Sequence, residues 1–278
     1  MLFRNCLLLM LVAAAIAPTS ASAADSVDHY GGRDMIVHVP ARLPASGSRA
    51  LVVVLHGGMG NADRIANRQS ESGLNMDAEA DQDGFIVVYL NGTAVTRLPG
   101  ARMLGWNAGG GCCGQPARNG TDDVAYISGA VGYLAGKYGV DRARVFGIGH
   151  SNGAMMTQRV LCETDLYQAG VAISGPLNLP VTHCTAARGK RILAIHGADD
   201  QNVPIAGGRG TQGLAQVAWS SEERAKQVMT GSGARYDLQI VPGVDHLLDH
   251  LSAAIAKSEG VTIAKKAAIF FGLAGKKG

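Results

Sequence analysis

The five residues Gly149-His150-Ser151-Asn152-Gly153 have the G-x-S-x-G spacing with which a chain lifts a serine hydroxyl between a strand and a helix. Glycines on either side suit so sharp a turn, because a side chain there would collide with the neighbouring elements. With 38 glycines in the chain the pattern arises readily by chance, so its flanks have to decide. Val145-Phe146-Gly147-Ile148 before it reads as a buried strand, and Ala154 to Val160 after it reads as a helix. A serine hydroxyl attacks only when a base takes its proton and an acid orients that base. Both follow in chain order. Gly197-Ala198-Asp199-Asp200-Gln201-Asn202-Val203-Pro204 offers two carboxylates after one strand, and Asp245-His246 follows another. Asp200 is taken as the acid, with Asp199 as its competitor, and His246 as the base. The chemistry these three side chains support is acyl transfer through a covalent intermediate on Ser151.

That reaction puts negative charge on a former carbonyl oxygen, which preorganised backbone N–H groups must receive. The amide of Asn152, at the start of a helix, is one candidate donor, and Gly58 within His56-Gly57-Gly58-Met59 is the other. His56, His150 and His196 adjoin glycines near strand ends and border the same region, where hydrogen bonding or packing is their ordinary role. His150 and Trp106 are the residues expected to meet substrate, although a tryptophan packed beneath its own loop is the competing reading of Trp106. His250, four residues after His246, suggests a metal pair on a helix face, but no third ligand accompanies it and no metal or cofactor is expected.

Placing these groups together requires a particular order of elements. At 278 residues, 47% hydrophobic and 17% charged, the chain can bury a full core. Apolar runs at Met35–Val39, Leu51–His56, Phe85–Leu90, Arg144–Ile148, Gly170–Ser174, Ile192–His196 and Leu238–Val241 read as strands. Several, such as Leu51-Val52-Val53-Val54-Leu55, are continuously apolar, as strands covered on both faces must be. Helical stretches are expected at Ala62–Asp81, Asp122–Tyr138, Gly153–Asp165, Leu214–Met229, His246–Lys257 and Val261–Phe271. The alternation predicts an α/β fold with a doubly wound, mostly parallel sheet. The long irregular stretch 91–120 is Gly-rich and carries Trp106 with Cys112 and Cys113, and no insertion is large enough for a separate lid domain.

The first residues have the character of a signal peptide: Arg4, an apolar run from Cys6 to Ala17, then Ala21-Ser22-Ala23. Cleavage before Ala24 would leave residues 24–278 as a single catalytic domain, secreted or periplasmic, without membrane insertion. Cys112, Cys113, Cys162 and Cys184 would then meet an oxidising compartment, with three pairings open. Pairing Cys162 with Cys184 would leave the adjacent Cys112 and Cys113 as a vicinal pair. A formal charge of +3 with scattered Lys and Arg, and no aromatic-interleaved basic stripe, argues against nucleic acid as a partner.

Taken together, the residues resemble the polyhydroxybutyrate depolymerase and feruloyl esterase-like branch of the α/β-hydrolases. The resemblance runs through Leu55-His56-Gly57-Gly58, Gly105 to Gly110 with Cys112-Cys113-Gly114, Thr121-Asp122-Asp123-Val124, Gly149 to Met156, and His196-Gly197 with Asp200 and Val203-Pro204. It implies the α/β-hydrolase fold and favours Asp200, because the family's acid stands three residues before a Val-Pro pair. In one place the chain departs from its relatives. Many follow the histidine with Trp-Pro, whereas His246 is followed by Leu247 and Leu248, so the substrate wall there differs. The resemblance implies a serine esterase acting on polyesters or on phenolic and acetyl esters of plant cell walls. An acyltransferase using the same triad, or a non-catalytic surface protein of the same fold, is the alternative. Neither the natural ester nor the oligomeric state follows from the sequence.

Overall fold

The computed structural model describes residues 23–67, 69–70, 73–96, 102–213 and 217–275. The proposed signal segment lies, but for Ala23, outside the described residues. Eight strands form one sheet: β1 (Ala24–Tyr30), β2 (Arg33–Val39), β3 (Arg49–Leu55), β4 (Ile86–Leu90), β5 (Val140–His150), β6 (Ala169–Ile173), β7 (Arg191–Gly197) and β8 (Arg235–Val241). Their order across the sheet is β1-β2-β4-β3-β5-β6-β7-β8. From β4 to β8 every neighbouring pair is parallel, while β1 and β2 add an antiparallel edge. This is the doubly wound, mostly parallel sheet that the alternation of elements predicts, and the α/β-hydrolase fold that the family resemblance implies.

Successive side chains of a strand face opposite ways, so the continuous apolar runs feed two cores. Leu51, Val53 and Leu55 of β3 join one, and Val52 and Val54 join the other. Helices α1 (Ala62–Ala66), α2 (Asp77–Asp83), α7 (Leu248–Glu259) and α8 (Ile263–Phe271) contribute to the second core. The first is covered by α4 (Asp123–Tyr138), α5 (Asn152–Glu163) and α6 (Glu222–Gly231), while α3 (Gly114–Arg118) is a short turn beside the cleft described below. Among the described residues no helix is long and apolar enough to cross a membrane.

Several expected boundaries are corrected. The single helix expected over Ala62–Asp81 is two, α1 and α2. The chain folds back after Ala66, where Leu74 N–H donates to Ile65 O at 2.8 Å, and a Cβ on Gly73 would stand 1.9 Å from Asn67 O. The helix expected from Leu214 begins at Glu222, because Ser221 caps it by accepting from Arg224 N–H and Ala218–Trp219 pairs with Gly208–Arg209. The helix expected from His246 begins at Leu248, which leaves His246 in the preceding loop. Edge strand β1 was not expected. Its run Asp25-Ser26-Val27-Asp28-His29 is mostly polar because an edge strand needs little burial.

The sulfurs of Cys162 and Cys184 lie 2.12 Å apart, with a Cα–Cα distance of 4.6 Å. Cys112 and Cys113 stand side by side, with Cys112 fully buried.

Candidate active site

Ser151, Asp200 and His246 all lie just beyond the C-terminal ends of parallel strands, on β5, β7 and β8 respectively. Ser151 occupies the turn between β5 and α5 with φ 55° and ψ −122°, a conformation that costs a non-glycine residue about 1–3 kcal/mol. The two glycines around it make the turn possible. A Cβ on Gly149 would stand 2.4 Å from Gly153 O, and one on Gly153 would stand 2.2 Å from Leu55 O. The G-x-S-x-G pattern is thus the mark of α5 pressed against β3 and β5.

Ser151 Oγ lies 2.9 Å from His246 Nε2, and His246 Nδ1 lies 2.6 Å from Asp200 Oδ2. The carboxylate only accepts, so Nδ1 carries the proton and Nε2 is left to accept from the serine hydroxyl. Asp200 Oδ1 is held by the N–H groups of Asn202 at 2.9 Å and Val203 at 2.8 Å. Burial would raise the Asp200 pKa, but the His196 and His246 hydrogen bonds outweigh it and hold the carboxyl well below its usual range. Asp199 faces away into a shallow hollow shared with Asp245 and His250. The competition between the two neighbouring aspartates is therefore decided by direction: only Asp200 meets His246. His250 Nδ1 pairs with Asp245 Oδ1 at 2.9 Å, and since His246 precedes α7 the two histidines do not share a helix face.

Asn152 N–H opens α5 and has no acceptor within the helix. Facing it is the turn after β3: a Cβ on Gly57 would lie 3.4 Å from Ser151 Cβ, and one on Gly58 would lie 3.7 Å from Asn152 Cβ. Gly58 and Asn152, the two residues chosen from the sequence as amide donors, line the same cleft as Ser151.

A cleft of about 630 Å³ opens above these residues. Its apolar wall includes Met59, Val95, Met103, Met155, Trp219 and Leu247. His150 lines it too, and its Nε2–H donates to His246 O at 2.9 Å, fixing the His246 backbone. Burial, then the neighbouring His246, pushes the His150 pKa down to about 3, so the ring is neutral. Trp106 is corrected. It is fully buried and is not part of the cleft wall. Asn152 Oδ1 accepts from Trp106 N–H at 2.7 Å and Asn152 Nδ2 donates to Trp106 O at 3.0 Å, drawing the residue beneath its loop. The indole N–H then donates to His56 O at 2.9 Å. Trp219, which the sequence reading passed over, is the tryptophan that faces the cleft, with its indole N–H on Asn202 O at 2.8 Å. No local pattern marks it, because the segment before it resembles the start of a helix.

The remaining motif residues tie the loop down. Asp123 is buried, accepts from Asn107 N–H at 2.7 Å and pairs with Arg33 at 2.7 Å. His56 Nδ1 donates to Gly57 O and Nε2 accepts from Gly92 N–H; burial lowers its pKa to about 4. Among the described residues one group, Asp25, His38 and Asp77, is close enough to hold a metal ion, but each nitrogen of His38 already meets a carboxylate, of Asp25 and of Asp81.

Residues 42–253 match the profile of the phospholipase/carboxylesterase family. Over 192 residues the chain is 27% identical to a probable feruloyl esterase C of Aspergillus clavatus, covering 68% of this chain and 62% of that protein. Over 163 residues it is 33% identical to the putative esterase NocK of Nocardia uniformis subsp. tsuyamanensis, covering 57% of this chain and 42% of the relative. The chain thus spans less than two thirds of either relative. An acetyl xylan esterase from Aspergillus awamori shares the fold with a TM-score of 0.57 at 18% identity, over 91% of this chain and 100% of that one.

Proposed function

We propose that this chain, which belongs to the phospholipase/carboxylesterase family, is a secreted serine esterase whose nucleophile is Ser151. The observation that carries the reading is the hydrogen-bonded series Ser151 Oγ, His246 Nε2, His246 Nδ1, Asp200 Oδ2 at the floor of the cleft. In the first step His246 Nε2 takes the hydroxyl proton while Ser151 Oγ bonds to the ester carbonyl carbon. The tetrahedral oxyanion points to the amides of Asn152 and Gly58, and α5 adds the positive potential of its N-terminus. Asp200 keeps the ring in the required tautomer and balances the imidazolium. His246 then returns the proton to the departing alcohol, the ester C–O bond breaks, and an acyl-Ser151 remains. Water, deprotonated by the same nitrogen, releases the acid and restores Ser151.

As substrates we propose phenolic or acetyl esters of the plant cell wall, supported by the names of the relatives and by the mostly apolar wall of the cleft. Polyhydroxybutyrate, the other ester implied by the sequence resemblance, belongs in the same assay. Residues 24–278 form one catalytic domain in this reading, with disulfides between Cys162 and Cys184 and between Cys112 and Cys113, in keeping with an oxidising compartment.

The test is hydrolysis of p-nitrophenyl acetate and methyl ferulate by the mature chain beside its Ser151→Ala variant. The expected loss in kcat is at least about 10³-fold, since removing a triad nucleophile leaves only binding and oxyanion stabilisation. Equal rates in both proteins would remove Ser151 as nucleophile. Ester formation with an added alcohol in preference to hydrolysis would move the reading to an acyltransferase.

A further inference from the structure

Beneath Asp200 lies a second histidine that the proposed reaction leaves unused. His196, the penultimate residue of β7, is fully buried. Its Nε2 lies 2.9 Å from Val203 O and 3.1 Å from Asp200 Oδ2, the same oxygen that meets His246. Its Nδ1 lies 2.8 Å from Glu222 Oε1, and Glu222 Oε2 accepts from Tyr236 O–H at 2.7 Å. Glu222 is also buried, on the first turn of α6.

All three atoms facing the ring nitrogens are oxygens of carbonyl or carboxylate groups. A neutral imidazole has one N–H and one lone pair, so with both carboxylates ionised it would set a lone pair against Glu222 or against Asp200. A ring carrying both protons satisfies every contact. We propose that His196, held as an imidazolium between Asp200 and Glu222, is a positioning residue that fixes the orientation and charge of the acid on which His246 depends. The inference rests on the esterase reading of Ser151, His246 and Asp200.

Burial opposes the charge on His196, but the hydrogen bonds to Asp200 and Glu222 overcome it and raise the pKa to about 9. The titratable groups facing this cluster are Asp200 from the loop after β7, Glu222 from α6, Tyr236 from β8, and His246 with Asp245 from the loop after β8. His150 faces it from the end of β5. Burial, with the Glu222 charge second, keeps the Tyr236 phenol protonated, and His150 is neutral. With two carboxylates against one imidazolium the buried cluster holds a single net negative charge. The imidazolium that forms on His246 during acyl transfer cancels it. The cation also shares Asp200 Oδ2 with His246, so the carboxylate stays ionised and in line as the base cycles between its two states.

Two measurements test this, neither relying on the other. In ¹⁵N-histidine-labelled protein, with the Ser151→Ala form as the inactive reference, both ring nitrogens of His196 should show the protonated signature at pH 7.5. In Glu222→Gln, which keeps the shape but removes the charge, one proton should be lost at lower pH. In kcat/KM profiles, His196→Gln should move the acid limb upward by about half a pH unit or more, because the cation nearest Asp200 is gone. It should lower kcat by about tenfold through a less well held base, with KM changed by less than about twofold. A neutral His196 at pH 7.5, with the proton on Glu222 instead, would overturn the proposal even if His196→Gln does not fold. So would a pH profile that His196→Gln leaves in place. Activity surviving in Ser151→Ala would defeat the esterase reading alone, since the ring protonation is read without turnover.

Discussion

At the residue scale the site assigns opposite tasks to two tryptophans. Trp106 is a strut whose main chain is clasped by Asn152 and whose indole N–H satisfies His56 O inside the protein. Trp219 presents its ring to the cleft. Replacing Trp106 by Phe should therefore cost stability, about 1–3 kcal/mol for a buried carbonyl left without a donor, while KM stays within about twofold. Trp219→Leu should do the reverse and raise KM for aryl esters about five- to tenfold through lost ring contact. Urea melts and Michaelis–Menten curves on both variants check the pair. A KM effect confined to Trp106→Phe would mean that the cleft has been read from the wrong side. Asp200 and Asp199 make the same point. Adjacent carboxylates are chemically alike, and only the turn at Gly197 directs one of them at His246; a Cβ on that glycine would stand 2.3 Å from Val244 O.

At the element scale the site depends on how closely α5 approaches the sheet. The start of the helix crosses β3 with no room for a methyl group at Gly153, where a Cβ would meet the carbonyls of Leu55 and His56 at 2.2 and 2.5 Å. Gly153→Ala must push the helix off the strand, and with it Ser151 and the Asn152 amide. The expected outcome is a loss of at least about 3 kcal/mol, or no soluble protein, as overpacking against rigid backbone does. Normal yield and normal kcat would show that the helix can slide. Elements whose ends are set by local chemistry were legible in the sequence: α4 starts one residue after its Asp122 cap and ends at Gly139 in the left-handed conformation. Those set by pairing with another segment were not. The break between α1 and α2, the late start of α6 and the edge strand β1 follow from contacts with Ile65, the Gly208–Arg209 strand and β2.

At the scale of the whole molecule, three buried histidines make stability depend on pH from both sides. His56 and His150 have folded pKa values depressed to about 4 and about 3, below the unfolded value of about 6.5. Their contribution is present above about pH 6.5 and is lost as the pH falls, by up to about 1.4 kcal/mol per pH unit for each. His196 has its folded pKa raised to about 9, so its contribution is complete below about pH 6.5 and is lost as the pH rises through about 9. Thermal or urea unfolding should therefore show greatest stability near pH 6–7, and His196→Gln should flatten the alkaline side alone. An alkaline slope unchanged by that substitution would assign it to other groups. What the sequence by itself determined was whatever neighbours in the chain can encode. That includes the glycine-framed serine turn, the chain order Ser151, Asp200, His246, the continuously apolar strands of a parallel sheet, and the polar residue that starts α4. Only the tertiary structure decided which tryptophan sees the cleft and that His196 stands between two buried carboxylates. Each of those outcomes is a direction in space, set where strands and loops far apart in the chain converge on one edge of the sheet, and residue type and spacing carry no record of it.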